Sequence, residues 1–157
     1  MDNIREKTVC FTGRRDISAE DVPRVECELY SIVKQLAKDG YNCFICGGAL
    51  GFDTLAATAV IKHKREFDIK LIIAVPHKGQ DVLWAKHDRV RYAHILANAD
   101  EVIYLAERYT QGCMQARNRY MVDKSALLVA YSDSAKGGTA YTCAYAIKQG
   151  VARMYIE

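Results

Sequence analysis

The sequence predicts an α/β protein: a doubly wound, mostly parallel sheet of six strands with helices on both faces. Short apolar runs alternate with segments of helical periodicity along the whole chain, and this alternation is typical of strands joined by crossover helices. The apolar run at 69–75, interrupted at one position by Lys70, is typical of a strand buried on both faces. Right-handed crossovers place helices on both faces once the strand order reverses. The 157 residues are expected to form one domain, residues 1–157.

The composition is that of an ordinary globular protein. Half of the residues are hydrophobic and 26% are charged, which excludes disordered, collagen-like and low-complexity classes. Lys and Arg total 22 and Asp and Glu total 19, so the formal net charge is only +3, too small to require a nucleic-acid or membrane partner. No stretch approaches the roughly 18 apolar residues that cross a bilayer, and the polar start at 1–7 does not fit a signal peptide.

The first half of the chain contains three predicted strands and two predicted helices. Apolar residues recur at helical spacing between Val22 and Leu36, Pro23 suits a first helical turn, and Gly40 suits a C-terminal cap. Pro76 ends the apolar run of the third strand. The predicted strands lie at 7–11, 42–46 and 69–75, and the predicted helices lie at 22–36 and 53–66.

The second half of the chain continues the alternation of helix and strand. Gly150 is placed to end the last helix. The predicted helices lie at 83–97, 114–123 and 139–149, and the predicted strands lie at 101–105, 126–131 and 152–156. In doubly wound sheets, ligands bind outside the carboxyl ends of the strands. The residues that follow each strand are therefore the candidates for a functional site.

The cysteines are expected to be structural. Cys10, Cys43 and Cys46 lie in apolar runs, and without an export signal we expect reduced core residues of a cytoplasmic protein. Cys43 and Cys46 have CxxC spacing, but an offset of three along a strand places them on opposite faces. His87 and His94 would lie about 10 Å apart along a helix, too far to share a metal ion. We therefore expect no metal site.

Glycine-rich segments follow three of the predicted strands. They are Thr12-Gly13-Arg14-Arg15, Gly47-Gly48-Ala49-Leu50-Gly51-Phe52-Asp53 and Lys136-Gly137-Gly138-Thr139. Glycines let backbone N–H groups approach an anion, a helix N-terminus adds partial positive charge, and arginine supplies a forked cationic donor. Each segment alone is more typical of an ordinary turn, but their shared position predicts one phosphate pocket. Neither a P-loop nor a GxGxxG fingerprint is present.

Several polar and aromatic residues near these segments have more than one interpretation. A bound phosphate would repel Asp53, so this residue is either a helix cap or a contact to sugar hydroxyls or a base edge. Arg117 and Arg119 cannot both point inward, because residues two apart do not share a helix face. Trp84 either stacks on a base or packs as an ordinary aromatic residue, and packing is the commoner role.

The same segments resemble those of a known superfamily. Residues 46–53 resemble the SGGAxGID-type segment of the Smf/DprA proteins, Arg117-Asn118-Arg119 resembles their RNR element, and residues 138–142 resemble their GGTxxT element. The superfamily, called SLOG, joins these proteins with the LOG (Lonely Guy) phosphoribohydrolases. A closer resemblance is to its YpsA-like branch, and it is carried by residues 11–15, 51–53, 84 and 119–125.

The resemblance implies a Rossmann-like fold that binds a nucleotide or a nucleotide derivative such as ADP-ribose, with a sensing or regulatory role. The expected partner is a phosphate-containing small molecule, and the resemblance also implies a homodimer. On the phosphate side it places the glycines of the second and last segments and Thr139. With the first segment included, the candidate ligand-binding residues are Thr12, Gly13, Arg14, Arg15, Gly47, Gly48, Gly51, Asp53, Arg117, Gly137, Gly138 and Thr139.

A nucleotide-processing hydrolase of LOG type is one alternative. Arg117 corresponds to the arginine that LOG enzymes place beside the glycosidic bond. The LOG glutamate expected in the turn after Thr139 is absent, since Ala140-Tyr141-Thr142 occupies that turn, so general acid/base help has no obvious supplier. Arg117 and Asp53 are the catalytic candidates of this alternative, and Asp123 is a further carboxylate if folding brings it to the site.

A DNA-binding accessory of Smf/DprA type is the other alternative. Basic clusters lie at 62–65 and 86–91. Both are interrupted or flanked by acidic residues, a pattern typical of solvated helix faces. A nucleic-acid partner is therefore less favoured than a small molecule.

Overall fold

The computed structural model describes residues 4–131 and 137–157. A short 3-10 helix, Ile4–Lys7, precedes the first strand. The strands are β1 (Thr8–Gly13), β2 (Cys43–Cys46), β3 (Lys70–Val75), β4 (Glu101–Tyr104), β5 (Leu127–Tyr131) and β6 (Ala152–Ile156). The helices are α1 (Val22–Lys38), α2 (Phe52–His63), α3 (Lys86–Asn98), α4 (Cys113–Asp123) and α5 (Gly138–Lys148).

The six strands form one sheet in the order β4-β3-β2-β1-β5-β6. Every neighbouring pair is parallel, so the predicted doubly wound α/β fold is confirmed. The chain moves outward from β1 to β4 on one side, then returns to place β5 and β6 on the other. The order therefore reverses between β1 and β5, and a crevice opens there at the carboxyl ends of the strands.

The helices pack on both faces of this sheet, as predicted. The helix α1 is amphipathic and buries Val25, Leu29, Val33 and Leu36 at helical spacing. It packs with α2 and with Ile95 of α3 against one face of the sheet. The helices α4 and α5 cover the other face in a second apolar cluster.

Helix α2 is buried along almost its whole length, because α1 and α3 flank it while β1, β2 and β3 lie beneath it. Its apolar sequence, Phe-Asp-Thr-Leu-Ala-Ala-Thr-Ala-Val-Ile, fits this position. Asp53 is the acidic residue of its first turn. The amino end of α2 follows β2 and therefore lies at the edge of the sheet where the crevice opens.

The third helix begins later than the sequence predicts. It starts at Lys86 rather than at residue 83, and Leu83 is 96% exposed. The preceding residues form turns, with the N–H of Val82 bonded to the carbonyl of Gly79 and the N–H of Trp84 bonded to that of Asp81. These local bonds replace a helical turn, so the segment forms a loop after β3 and not a packed helix.

The cysteines of the described residues are free thiols. Burial raises the pKa of the Cys10 thiol to about 12, which makes it unreactive at neutral pH. Within residues 4–131 and 137–157, no group of three His, Cys, Asp or Glu side chains is arranged to hold a metal ion. No helix of those residues has both the length and the apolar character of a membrane span.

Candidate functional site

A cleft of about 750 Å³ lies at the carboxyl edge of the sheet. Six parts of the chain contribute to it: the end of β1 with the loop that follows, the amino end of α2 with the loop before it, the loop after β3, the loop after β4, helix α4 and the start of α5. Its lining residues are Phe11, Thr12, Gly13, Arg14, Arg15, Asp16, Ala49, Asp53, His77, Gly79, Gln80, Leu83, Trp84, Tyr109, Met114, Arg117, Asn118, Met121, Gly137, Gly138 and Thr139. The three predicted segments thus meet at one cleft.

The loop after β1 is held between β5 and α2. The N–H of Arg14 donates to the carbonyl of Tyr131 over 3.3 Å, and the carbonyl of Arg14 accepts from the N–H of Phe52 over 3.0 Å. Gly13 is required here, since a Cβ at this position would lie 2.3 Å from the ring of Phe52. Arg15 is exposed at the cleft and Thr12 is only 6% exposed. This packing directs two cationic side chains to the rim of the cleft.

The glycines after β2 lie behind the cleft wall and are not among its lining residues. Gly51 has a φ of +76°, and a Cβ on it would lie 2.2 Å from the carbonyl oxygen of Arg15. Gly48 has a φ of +71°, and a Cβ on it would lie 3.0 Å from Ile73. Gly47 is also buried. These positions are explained by close backbone packing, and a direct ligand contact at Gly47, Gly48 or Gly51 stays a prediction.

Arg117 is the arginine of its pair that points inward, as expected from helical geometry. It is 5% exposed. Its Nη1 donates to the carbonyl of Gly47 over 2.6 Å and to that of Ala74 over 3.3 Å, and its Nε donates to Asn118 Oδ1 over 2.8 Å. Within the described parts of the chain, its Nη2 has only a weak contact, 4.0 Å to the sulfur of Met114. Arg117 therefore ties α4 to β2 and β3 through Nη1, while Nη2 is held much less firmly.

Asp53 lies in the same cleft at the start of α2 and is 7% exposed. Its Oδ2 accepts a hydrogen bond of 3.2 Å from the N–H of Ala49. The N-cap residue of α2 is Gly51, so Asp53 does not cap its own helix. Burial raises the pKa of the Asp53 carboxyl, although the charges of Arg117 and Arg15 and the bond from Ala49 oppose this rise. Asp53 and Arg117 form an oppositely charged pair at the floor of the cleft.

The start of α5 forms the wall of the cleft beside β5. Gly137 has a φ of +98°, which suits the sharp turn into the helix. The side chain of Thr139 is 9% exposed and lines the cleft. The first N–H groups of a helix have no intrahelical partner, so this terminus presents donors and a partial positive charge. Lys136, the first residue of the predicted segment, lies outside the described residues.

The loop after β3 forms an aromatic side of the cleft that includes His77, Trp84 and, after β4, Tyr109. Trp84 packs edge-on against Tyr92, with ring centroids 5.2 Å apart, so the packing role of Trp84 is observed and it also faces the cleft. Gln80 holds the loop in place by donating to the Gly48 carbonyl over 3.3 Å and to the Tyr92 hydroxyl over 3.1 Å.

Sequence reasoning missed Gln80, Tyr109, His77 and Asn118 as cleft residues. The first three follow β3 or β4, so the rule that directed attention to the other strand ends applies to them as well. The predicted segments were selected because they are rich in glycine, and the loops after β3 and β4 were passed over because they contain little glycine. Side-chain contributions from glycine-poor loops have no comparable signal in a single sequence.

Two charged residues considered with the site lie outside this cleft. Asp123 accepts a hydrogen bond of 2.7 Å from the Tyr145 hydroxyl at the end of α4. Arg119 donates to the Tyr141 hydroxyl over 2.6 Å. Neither is among the residues that line the cleft. Asp123 therefore does not supply the carboxylate that the last segment lacks.

This sheet and its cleft at the reversal of strand order define a Rossmann-like α/β protein. The chain belongs to the YspA SLOG family, whose profile matches residues 16–156. It is 35% identical over 139 residues to the SPbeta prophage-derived protein YoqJ of Bacillus subtilis strain 168, a match that covers 80% of this chain and 81% of the relative. The predicted membership of the YpsA-like branch of SLOG is therefore confirmed.

Solved structures of DNA processing protein A (DprA) share the fold. The chain is similar to DprA from Streptococcus pneumoniae with a TM-score of 0.70 at 20% identity, over 99% of this chain and 52% of that one. It thus spans about half the length of that neighbour. It is similar to DprA from Helicobacter pylori with a TM-score of 0.71 at 19% identity, over 99% of this chain and 67% of that one. At these identities the likeness concerns the fold.

Proposed function

We propose that the protein binds a nucleotide or a nucleotide derivative in the cleft and acts as a sensing or regulatory module. One observation carries the proposal. Segments that follow β1, β2 and β5 meet at a single cleft of about 750 Å³, which is large enough for a ligand of this size. The cleft combines cationic, buried polar and aromatic groups, and these correspond to the phosphate, sugar and base of a nucleotide.

The phosphate end of the ligand is assigned to the side between the β1 loop and α5. Arg14 and Arg15 supply positive charge at the rim there. Because Arg14 is bonded to the last residue of β5, this loop lies beside the strand that leads to α5. The first N–H groups of α5, which have no partner within the helix, add directional donors for phosphate oxygens.

The base end is assigned to the aromatic side of the cleft. Trp84 and Tyr109 offer π-faces, and nucleobases stack on aromatic side chains without requiring a particular sequence of hydrogen bonds. Leu83 is almost fully exposed at the same place. A bound base would cover this apolar surface, which is otherwise in contact with water.

Binding without turnover is favoured over LOG-type hydrolysis. The first turn of α5 carries no carboxylate, and Asp123 is bonded to Tyr145 away from the cleft. Asp53 and Arg117 do lie in the cleft, so hydrolysis is the second candidate function. Release of a free base or of ribose 5-phosphate on prolonged incubation, lost in Arg117→Ala, would favour that candidate.

A DNA-binding accessory role receives less support. The DprA protein from Helicobacter pylori binds single-stranded DNA. In this chain, Lys64 of the basic cluster at 62–65 pairs with Asp100 over 2.7 Å. That pair lies at the beginning of β4, at the edge of the sheet opposite the cleft. A lysine already paired in this way contributes less to a groove for a phosphate backbone.

Thermal unfolding with a nucleotide panel tests the proposal. The panel contains adenosine and guanosine mono-, di- and triphosphates, NAD, ADP-ribose and a single-stranded oligonucleotide. A ligand at 100 times its dissociation constant should stabilise the protein by about 2.7 kcal/mol. The shift should be reduced in Arg15→Ala and retained in Arg119→Ala, since Arg119 lies outside the cleft. A flat response to every nucleotide would contradict the proposal, and a shift only with the oligonucleotide would favour DNA binding.

The homodimer is a separate part of the proposal and rests on family resemblance alone. Sedimentation velocity over a range of protein concentrations, with and without the nucleotide that gives the largest shift, measures it. A species of twice the monomer mass is the expected result. A monomer under both conditions would contradict the proposed homodimer, and the proposal that the cleft binds a nucleotide would be unaffected.

A further inference from the structure

We propose that Asp53 selects ribose over deoxyribose by accepting hydrogen bonds from the vicinal hydroxyls of the bound ligand. The inference rests on the proposed nucleotide-binding function and identifies its ligand as a ribonucleotide. It starts from Oδ1 of Asp53, the carboxylate oxygen that stays accessible in the cleft. Oδ2 of Asp53 accepts from Ala49, whereas Oδ1 has no hydrogen-bond partner among residues 4–131 and 137–157.

The position of Asp53 restricts what it can bind. It is more than nine-tenths buried and lines the cleft, so any ligand that fills the cleft displaces the water that solvates Oδ1. A buried carboxylate oxygen without a donor is costly. The ligand must therefore present hydrogen-bond donors at this point, and a phosphate group, which offers acceptors and negative charge, does not satisfy it.

The surrounding charges agree with a sugar at Asp53. Burial raises the pKa of the Asp53 carboxyl, and the positive charges of Arg117 and Arg15 oppose that rise and favour the ionised, acceptor-only form. In the strand order, β2, which leads to Asp53, lies between β3, whose following loop carries Trp84, and the pair β1 and β5, which lead to Arg14 and to α5. In a nucleotide, the ribose lies between phosphate and base. Its two adjacent hydroxyls are the donors that this middle position requires.

Neighbouring hydroxyl groups support the same assignment. Thr12 and Thr139 are more than nine-tenths buried, line the cleft and make no hydrogen bond through their hydroxyls within the described parts of the chain. A hydroxyl both donates and accepts, so either threonine can bond to sugar oxygens. The cleft therefore offers the Asp53 carboxylate and the hydroxyls of Thr12 and Thr139. This set of groups suits the hydroxyls of a sugar better than it suits a phosphate.

Matched ligand pairs test the proposal by isothermal titration calorimetry. The probes are the ribo and 2′-deoxy forms of AMP, ADP, ATP, GMP, GDP, GTP and ADP-ribose. The ribo form should bind at least about ten-fold more tightly, since a deoxy ligand leaves a charged acceptor without its donor. Asp53→Asn, a change of nearly equal size, should reduce the preference to about two-fold or less because the charged acceptor is gone. Asp123→Asn is the matched control and should keep the preference, because Asp123 is bonded to Tyr145 outside the cleft.

A pH titration of the unaltered protein gives a second readout that needs no variant. The ribo preference should fall as the pH is lowered and the Asp53 carboxyl takes up a proton. Because burial raises its pKa, this fall should occur at a higher pH than for an exposed aspartate. Asp53→Asn should show no such pH dependence in the preference.

The outcomes separate this inference from the function on which it rests. Equal binding of ribo and deoxy partners by the unaltered protein overturns the role of Asp53 while the nucleotide site stands. A preference that survives in Asp53→Asn also overturns it. If none of the probes binds, the proposed function fails, and the inference fails with it.

Discussion

Arg117 on α4 and Gly47 at the end of β2 are joined by a hydrogen bond of 2.6 Å from Nη1 to the backbone carbonyl, across 70 residues of chain. The same pair is in tight contact, since a Cβ on Gly47 would lie 2.6 Å from that nitrogen and 2.8 Å from Asp53 Oδ2. Only glycine leaves room for the guanidinium and the carboxylate to lie side by side. Gly47 thus sets the geometry of the charged pair without lining the cleft.

Arg117→Met should destabilise the protein by about 1–3 kcal/mol, since buried hydrogen-bonding groups lose their donor and the Asp53 carboxyl loses a nearby positive charge. The groups that lose their donor are the carbonyls of Gly47 and Ala74. Urea unfolding followed by circular dichroism measures the change. The control is Arg119→Met, which removes a partly exposed arginine bonded to Tyr141 and should cost about 1 kcal/mol or less. Equal losses in the two variants would contradict the structural role of Arg117.

Gly47→Ala should cost about 1–3 kcal/mol of stability, because the added methyl group overpacks the space between Arg117 and Asp53. Nucleotide binding should weaken in parallel, since the two side chains must separate. Thermal unfolding with and without ligand measures both effects. For comparison, an added Cβ at Gly138 meets nothing within 4 Å, so Gly138→Ala should leave the melting temperature unchanged or slightly raised. A Gly47→Ala protein as stable as Gly138→Ala would show that the pair tolerates a larger spacing.

Gly51→Ala should lower stability by more than about 3 kcal/mol, because a strained backbone conformation is combined with a steric clash. The clash is with backbone oxygens of Arg14 and Arg15, which cannot rotate away as a side chain can. Gly40 separates backbone strain from steric clash, because its φ is +104° but a Cβ on it would meet nothing within 4 Å. Gly40→Ala should therefore cost only about 1–2 kcal/mol. Urea midpoints of the two variants give the comparison. Similar midpoints would mean that the loop after β1 can move away from α2.

Asp100 should stabilise the fold in a pH-dependent manner. Slight burial alone would raise its pKa, but hydrogen bonds from Lys64 and from the N–H of Leu71 outweigh that effect and lower it. Its stabilisation is therefore fully present above the unfolded value of about 3.9 and is lost as the pH falls through the lower folded value. Asp100→Asn should cost about 0.5–1 kcal/mol of stability at pH 7. The cost is small because the pair of Lys64 and Asp100 is partly exposed and water screens its attraction.

Urea unfolding of the Asp100→Asn protein at pH 7 and in the acid range measures this effect. The difference from the unaltered protein should shrink toward zero once the pH lies below both pKa values. A difference that is constant across this range would indicate a lost contact unrelated to charge.

The fold was predictable because its signal is periodic. Strand β3 is apolar from Leu71 to Val75, and α1 repeats its apolar residues at helical spacing. Both patterns were visible in the sequence. The loop before α3 was assigned wrongly because Val82, Leu83 and Trp84 resemble a buried helical turn in sequence. In the structure they form turns and leave Leu83 exposed. Local hydrogen bonds determine the turn conformation of this segment, and the spacing of apolar residues in a sequence carries no information about such bonds.

The meeting of the three segments at one cleft was predictable from the sequence, but the contacts that hold them there were less so. Parallel strands bring their carboxyl ends to one edge, so Arg14, Asp53 and Thr139 could be expected together. The glycines after β2 have the composition of a phosphate loop, yet Gly51 is required by the backbone of Arg15 and Gly47 by Arg117. Those contacts join residues distant in sequence, and only the folded chain reveals them.

The position of β1 at the centre of the sheet has a consequence for how the molecule assembles. Strands β1 to β4 add to one another in chain order, but β5 must return to β1, where Leu127 pairs with Val9 from the other end of the polypeptide. Contacts between such distant residues form slowly, because the intervening chain loses entropy when its ends are joined. During synthesis, the amino-terminal strands can associate while β5 is still inside the ribosome. The cleft is therefore completed last, when β5 and α5 dock beside β1.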